Sequence, residues 1–341
     1  MLLEIFIAIL ILIAAAAIAQ WILARRDDRR FPAPGMMVKI HGAEMHVKQM
    51  GEGQPAVLLE AGIAASTLNW SLLQPELANL AATYSYDRAG FGWSRGKDIS
   101  CSLPRIVDDL HATIAALKIA SPYILVGHSF GGFIVREYAQ RFPNELAGLV
   151  MIDPLTPEEW LNPTSSQRWK LRGGIWFSRA GAALASIGVI RACLWLLKRG
   201  KSRGPRAALA VFGPEATKTV SRILGELLKL PPETVELIRA RWCKPDFFLT
   251  MAGYIQSIPR CSAEVYGSNV PPHIPVTVIS GAHQAAERLR EHAAITTQSM
   301  HGRHLIAAKG AHWVHLDQPE LVVQAVRDLA ALTRNPTAAR N

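Results

Sequence analysis

The chain has 341 residues, half of them apolar, enough for a sizeable core, and this length suits one large domain with an insertion better than two small ones. No internal repeat or low-complexity tract occurs, and the four cysteines, Cys101, Cys193, Cys243 and Cys261, form no CxxC pair and no zinc-type spacing with histidine. A repeat architecture, a metal site and a disulfide framework are therefore excluded, while a pairing of Cys243 with Cys261 stays open. Lys and Arg number 37 against 27 Asp and Glu, a formal charge of +10.

Residues 2–24, LLEIFIAILILIAAAAIAQWILA, form a 23-residue apolar run that reaches about 35 Å as a helix, enough to cross a bilayer. Glu4 and Gln20 lie towards its ends, and Trp21 suits the interface. A buried core helix and a cleaved signal peptide are the other readings. The start MLLE lacks a basic n-region, although Ala17-Ile18-Ala19 offers a cleavage-like site. The expectation is an uncleaved transmembrane anchor. RRDDRR at 25–30 then places the downstream domain on the cytoplasmic side by the positive-inside rule.

After the linker FPAPG, strands are expected at 37–41 and 45–49, joined as a hairpin through Gly42 and Ala43, then at 56–60, 83–86, 123–126, 148–152, 275–280 and 304–308. Helical spacing appears at 70–81, 104–117, 130–141 and 319–333. This alternation predicts an α/β fold: a mostly parallel eight-stranded sheet with helices on both faces. Between Pro154 and Pro272 the alternation stops for over a hundred residues, as it does where a helical cap is inserted. The expected organisation is an anchor and basic flank at 1–30, a core at 31–154, a cap at 155–271 and the rest of the core at 272–341.

GHSFGG places Ser129 between a β-branched run and a helix, fenced by Gly127 and Gly131. A serine hydroxyl is a poor nucleophile at neutral pH and needs a base and an anion cradle nearby. In GxSxG the serine takes a strained conformation at a strand-to-helix turn, and the helix N-terminus aims N–H groups at it. The Phe130 N–H becomes a natural donor to an oxyanion. A glycine-rich turn without chemistry is the alternative.

Four segments then occur in a familiar order: LLEAGIAASTLNW, YSYDRAGFGWS, GHSFGG and KGAHWVHLDQPELV. From about residue 37 to 333 the chain resembles an α/β-hydrolase of the serine-nucleophile, esterase- or lipase-like branch, these segments matching its oxyanion loop, the loop after the fourth strand, the nucleophile elbow and the histidine loop. The resemblance implies acyl transfer to water and no cofactor. His312 sits where the family motif has its base, with His315 as the alternative; His283, His301 and His304 read as solvated or core residues. The strand near 276–280 is followed by GAHQAAERLREH, with no aspartate where one is usual. Asp153, after GLVMID, is the expected acid and Glu287 the runner-up. Asp87 breaks the chain order serine, acid, histidine, and is expected to fix its own loop through Arg88 or backbone. The second oxyanion donor is expected to be the N–H of Ile63, after Gly62. A serine argues against epoxide or carbon–halogen hydrolysis, for which the family uses an aspartate nucleophile. A hydrophobic-ligand-binding protein without turnover, and hydrolysis of thioester, amide or lactone bonds, are the alternatives to ester hydrolysis.

Between Trp160 and Pro214 there is no acid, but there are ten basic residues from Arg168 to Arg206, interleaved with tryptophans and aliphatics. The longest apolar run there, 180–190, is too short to span a bilayer. An ordinary solvated cap face is one reading; the sharper expectation is an amphipathic cap lying on anionic lipid and a small hydrophobic substrate drawn from the membrane. No nucleic-acid motif is present, and none of that class of partner is expected.

Overall fold

A computed structural model of the chain describes residues 1–96, 101–199 and 214–334. It opens with α1 (Leu2–Arg30) and continues through β1 (Met36–Ile40), β2 (Ala43–Met50), β3 (Val57–Glu60), α2 (Leu73–Ala78), β4 (Thr83–Tyr86), α3 (Leu103–Ala116), β5 (Tyr123–His128), α4 (Gly131–Arg141) and β6 (Leu146–Ile152). Then come α5 (Pro157–Leu161), α6 (Ser165–Ser186), α7 (Val189–Lys198), α8 (Pro214–Leu227), α9 (Pro232–Trp242) and α10 (Pro245–Val265). The chain closes with β7 (Val276–Gly281), α11 (Ala286–Thr296), β8 (Gly302–Ala307), α12 (Val314–Asp317) and α13 (Pro319–Arg334).

The eight strands form one sheet in the order β1-β2-β4-β3-β5-β6-β7-β8. β1 with β2 and β2 with β4 run antiparallel, and all other pairs are parallel. β3, β5, β6 and β7 are buried along their whole length, which is why they read as continuous apolar runs rather than alternating ones. Their side chains Leu59, Val126, Val150 and Ile152 pack with Trp70, Leu73 and Leu77 and with Val322, Val326 and Leu329 of α13. This rigid centre carries the strand ends on which the candidate site is built.

Two elements differ from the expectation. The helix expected at 70–81 is shortened to α2, Leu73–Ala78, and a 3₁₀ turn, Thr67–Trp70, precedes it. Ser66 and Asn69 close a capping box on the turn, and the Gln74 amide donates to the carbonyls of Lys48 and Thr83 at 2.8 and 3.1 Å, drawing the chain back towards β4. α11, between β7 and β8, was not expected from the sequence. All four cysteines are free, Cys243 and Cys261 being buried thiols, so the open pairing of these two is not formed.

By packing density the chain divides into two compact units. One comprises Met1–Ala33 with Trp169–Ile255, and the other Pro34–Arg168 with Gln256–Asn341. The whole sheet lies in the second unit. The N-terminal helix, read from sequence as a segment apart, belongs with the cap helices in the first. The expected cap residues Lys201, Arg203 and Arg206 lie outside the described residues.

Candidate active site

Every candidate catalytic residue stands just past the carboxyl end of a strand, where open α/β sheets place their ligands. β5 ends at His128 and α4 begins at Gly131, so only Ser129 and Phe130 make the turn. Ser129 has φ 54°, the left-handed region that non-glycine residues rarely occupy. Its N–H donates to Ile152 O at 3.0 Å, and its carbonyl accepts from Gly132 and Leu155 at 2.9 and 3.1 Å. These bonds tie the turn to the end of β6. A Cβ at Gly131 would stand 2.5 Å from Glu60 O, so only glycine lets α4 come this close to β3.

Asp153, at the end of β6, also has a positive φ, 40°. Two strained residues at adjacent strand ends are the kind of outlier that concentrates at functional sites. The Asp153 side chain is fully buried. Oδ1 accepts the Gly281 N–H at 3.2 Å; Oδ2 accepts from Gln284 Nε2 at 2.7 Å and from His312 Nδ1 at 2.6 Å. His312 stands in the loop between β8 and α12, its side chain 29% exposed. With Nδ1 engaged by Asp153, Nε2 is the nitrogen left for proton transfer. Glu287 is exposed in the first turn of α11, and it is Asp153, not Glu287, that His312 meets.

His128 couples the serine turn to the histidine loop. Burial, with the neighbouring His315 and His312, holds its pKa well below the ordinary imidazole range, so the ring is neutral. Its Nε2–H donates to His312 O at 3.0 Å, which leaves Nδ1 as an acceptor. A Cβ placed on Gly62 would lie 3.1 Å from that Nδ1 and 3.3 Å from Ser129 Cβ; the Gly62–Ile63 backbone therefore passes directly beside the serine. The Ile63 N–H has no acceptor among the described residues, as an oxyanion donor requires. Phe130 is the N-cap residue of α4, so its N–H stands at the helix N-terminus next to Ser129. Among the described residues no hydrogen bond joins Ser129 Oγ to His312, and in unliganded enzymes such contacts often tighten only when substrate binds.

The loop that holds Ile63 is fixed from below by charges the sequence reading did not pick out. Arg88 donates through Nη1 to Ala61 O and through Nη2 to Gly62 O, each at 2.5 Å, and pairs with Glu60, which also accepts the Tyr86 hydroxyl. Burial pushes the Glu60 carboxyl up while Arg88 opposes the shift. The available signal was a Glu at the end of a buried strand, since such a charge needs a partner. Asp87 has the loop-fixing role expected for it, through the backbone alternative: it accepts from the backbone N–H of Thr67 at 2.7 Å and of Trp93 at 2.9 Å, and also contacts His46 Nδ1 at 2.7 Å. Arg88 is not among its partners in these bonds.

Three further histidines near the site make packing and hydrogen-bond contacts. His315 is buried against Trp70, with ring centroids 4.7 Å apart, and burial first, then His312, lowers its pKa to about 3. His292 Nε2–H donates to Pro154 O at 2.9 Å, so its Nδ1 accepts from the Ser280 hydroxyl at 2.7 Å, whose oxygen in turn accepts from His304 Nε2 at 2.7 Å. This chain steadies the residue after Asp153. Among the described residues no cluster of three or more His, Cys, Asp or Glu side chains is placed to hold a metal ion. A cavity of about 310 Å³ lined by Arg136, Glu158, Arg290 and Glu291 includes none of the residues above.

Comparison with known proteins now bears on this geometry. Residues 55–182 match the family model described as alpha/beta hydrolase fold. The chain has the α/β-hydrolase fold. It is 24% identical over 311 residues to 1-acylglycerol-3-phosphate O-acyltransferase ABHD5 of Rattus norvegicus, covering 84% of this chain and 79% of that one. A shorter match, 28% identical over 116 residues, to the uncharacterised protein YqjL of Bacillus subtilis (strain 168) covers 34% of this chain, and the chain spans only 46% of that relative's length. Among solved structures, a laboratory-evolved variant of potato epoxide hydrolase StEH1 superposes with TM-score 0.65 at 18% identity, over 86% of this chain and 97% of that one. A thermophilic esterase from Thermogutta terrifontis gives TM-score 0.57 at 19% identity, over 87% and 98%. At these identities the structures share the fold of this α/β-hydrolase, and its chemistry has to be argued from its own residues.

Proposed function

We propose that this α/β-hydrolase is a serine hydrolase that cleaves carboxylic esters of hydrophobic, lipid-like substrates through an acyl-enzyme on Ser129. The observation that carries the reading is the 2.6 Å bond from His312 Nδ1 to the buried carboxylate of Asp153, one strand over from a serine in a strained turn. Asp153 holds the imidazole in the tautomer whose Nε2 is a base and stabilises the imidazolium that forms. Ser129 Oγ attacks the acyl carbon as His312 takes its proton. The amides of Ile63 and Phe130 receive the oxyanion, a contribution worth about 10²–10³ in rate per donor. The alcohol leaves with the proton from His312, and water, deprotonated by the same imidazole, releases the acid and restores Ser129. No group beyond this chain is called on.

The N-terminal helix supports a lipid-like substrate. It is long and apolar enough to cross a membrane, and its large apolar side chains stand out from the protein, Leu2 at 81%, Phe6 at 58% and Leu12 at 68% exposed. So much contiguous apolar surface is compatible with lipid and not with water. In this reading α1 is an uncleaved anchor, with the catalytic domain on the cytoplasmic side by its basic flank. The rat relative's printed activity, acyl transfer to a lysophospholipid, favours a second reading that shares the acyl-enzyme: a lipid alcohol in place of water as acceptor. A fluorophosphonate probe and a p-nitrophenyl ester separate these readings from ligand binding without turnover. Labelling of Ser129 with a burst of p-nitrophenol supports hydrolysis, and neither signal would contradict it. Added lysophosphatidate that captures the acyl group points to the second reading.

A further inference from the structure

The polarity of α1 is inverted over its last three turns. Its buried residues are Gln20 and Asp27, 4% and 9% exposed, while Trp21, Ile22 and Leu23 between them point outwards. The polar side chains are met by the cap. Gln20 Nε2 donates to Cys243 O at 2.7 Å, and Gln20 Oε1 accepts from Arg191 Nε at 2.7 Å. Arg191 Nη1 reaches Asp27 at 2.5 Å. Asp28 pairs with Lys244 at 2.5 Å and with Arg241 at 2.9 Å. Arg191 lies on α7, and Arg241, Cys243 and Lys244 at the end of α9, so one helix face holds two cap helices through charged and amide groups. Buried pairs of this kind specify position strongly, because removing one partner strands the other.

The contact lies at a defined height. α6 and α7 meet at 88° through Gly188, whose φ is 79° and whose open side faces Gln20, a Cβ there standing 3.6 Å from the Gln20 side chain. Gln20 is four residues, about 6 Å along the helix, from the end of the apolar run at Ala24. A bilayer crossed by residues 2–24 therefore has its headgroup boundary beside the bend between α6 and α7. α6, which leads into that bend, carries the kind of surface such a boundary takes up: Trp169, Arg172, Trp176 and Arg179, all exposed and at helical spacing, with the two tryptophans 72% and 58% exposed. Aromatic rings interleaved with arginines suit an interface that is apolar on one side and anionic on the other.

We infer that the anchor and the cap form one lipid-docking body, in which Gln20, Asp27 and Asp28 lock the α6–α7 bend at the end of the membrane span and seat its Trp–Arg stripe on an anionic bilayer. The inference rests on the membrane reading of α1 proposed above. It makes the anchor more than a tether: the cap of this hydrolase is held at the surface from which a lipid substrate arrives.

The test uses the full-length chain reconstituted in vesicles of phosphatidylcholine and phosphatidylglycerol that contain a trace of phospholipid with a photoreactive diazirine near its headgroup. After illumination, labelled peptides are mapped by mass spectrometry for wild type, Asp27→Arg, and Asp27→Arg combined with Arg191→Asp. The expected result is label on residues 2–24 and on α6 and α7 in wild type. Cap label should fall about tenfold in the single variant and return in the charge-swapped pair, with the α1 label constant throughout. Label on α1 with none on the cap, or cap label indifferent to both variants, would overturn the inference and leave the membrane reading standing. Absence of label from α1 itself would overturn the membrane reading. A cap shielded by a second copy of the chain, seen as a dimer after solubilisation, would also overturn the lipid assignment.

Discussion

The carbonyl of His312 accepts a 3.0 Å hydrogen bond from Nε2 of His128, the residue immediately before the nucleophile. The backbone of His312 is thus tied to the serine turn by a ring whose burial disfavours its charged form. With the Asp153 contact, this bond links two loops more than 180 residues apart in sequence. Replacing His128 with Phe keeps the volume and removes the donor. The expected outcome is a fall in kcat of about tenfold with KM little changed, read from steady-state hydrolysis of a short-chain ester.

Gly62 makes a second steric prediction. Gly62→Ala puts a methyl 3.3 Å from Ser129 Cβ and 3.1 Å from His128 Nδ1, tighter than ordinary contact, and displaces the Ile63 amide from the oxyanion. The loss is expected to be about a hundredfold in kcat, with a melting temperature within a few degrees of wild type because the change is local.

Arg88 holds the same loop by charge. Arg88→Met leaves Glu60 buried without its cation and frees the Ala61 and Gly62 carbonyls, which should cost about 3–5 kcal/mol. Glu60→Gln combined with Arg88→Met removes both charges and should recover part of that loss. A single variant as stable as wild type in urea melts would show that the pair does not carry the loop.

Stability should depend on pH through the buried histidines. His315 and His292 have folded-state pKa values of about 3 and about 4, against 6.5 when exposed, with burial as the main cause. Between pH 6.5 and about 4 the unfolded chain binds more protons than the folded one, so stability is full above 6.5 and falls with acidification, by up to about 1.4 kcal/mol per pH unit for each group. Thermal melts of the detergent-solubilised chain from pH 8 to 4.5 should show this decline, and His315→Gln, which cannot titrate, should make it shallower.

The features legible in the sequence were those whose cause is local. Tyr123 to Val126 reads as a buried strand because both its faces are covered, and the strand runs on to His128; Gly127, Ser129 and Gly131 mark a turn where longer side chains would not fit. Asp153 was legible because it follows a strand in the right chain order. What remained hidden depends on partners far away. Asp27 looks like part of a solvated RRDDRR run until Arg191, 164 residues later, is found beside it. Gln20 reads as a blemish in an apolar helix, whereas it is the residue the cap grips. Arg88 was weighed only as one possible partner of Asp87, whereas it pairs with Glu60 at the end of the adjacent strand β3. The helix expected from Trp70 to Ala81 begins only at Leu73 and ends at Ala78, after a 3₁₀ turn closed by a capping box that periodicity alone does not weigh.

The N-terminal lock also changes what truncation should do. Removing residues 1–30 takes away the acids that Arg191, Arg241 and Lys244 meet, so the cap loses these ion pairs. The sheet unit should still fold, while the cap should exchange amide hydrogens faster and short soluble esters should turn over better relative to long ones than in the full chain.

The central claim is that Ser129 is a nucleophile driven by His312 and Asp153. The most direct measurement is the rate of fluorophosphonate incorporation, followed by intact mass and located by peptide mapping, in wild type, Ser129→Ala and Asp153→Asn. One adduct on Ser129, absent from Ser129→Ala and formed about a thousandfold more slowly or worse in Asp153→Asn, is the predicted result. An unlabelled wild-type chain, or an adduct that forms equally fast without Asp153, would contradict it.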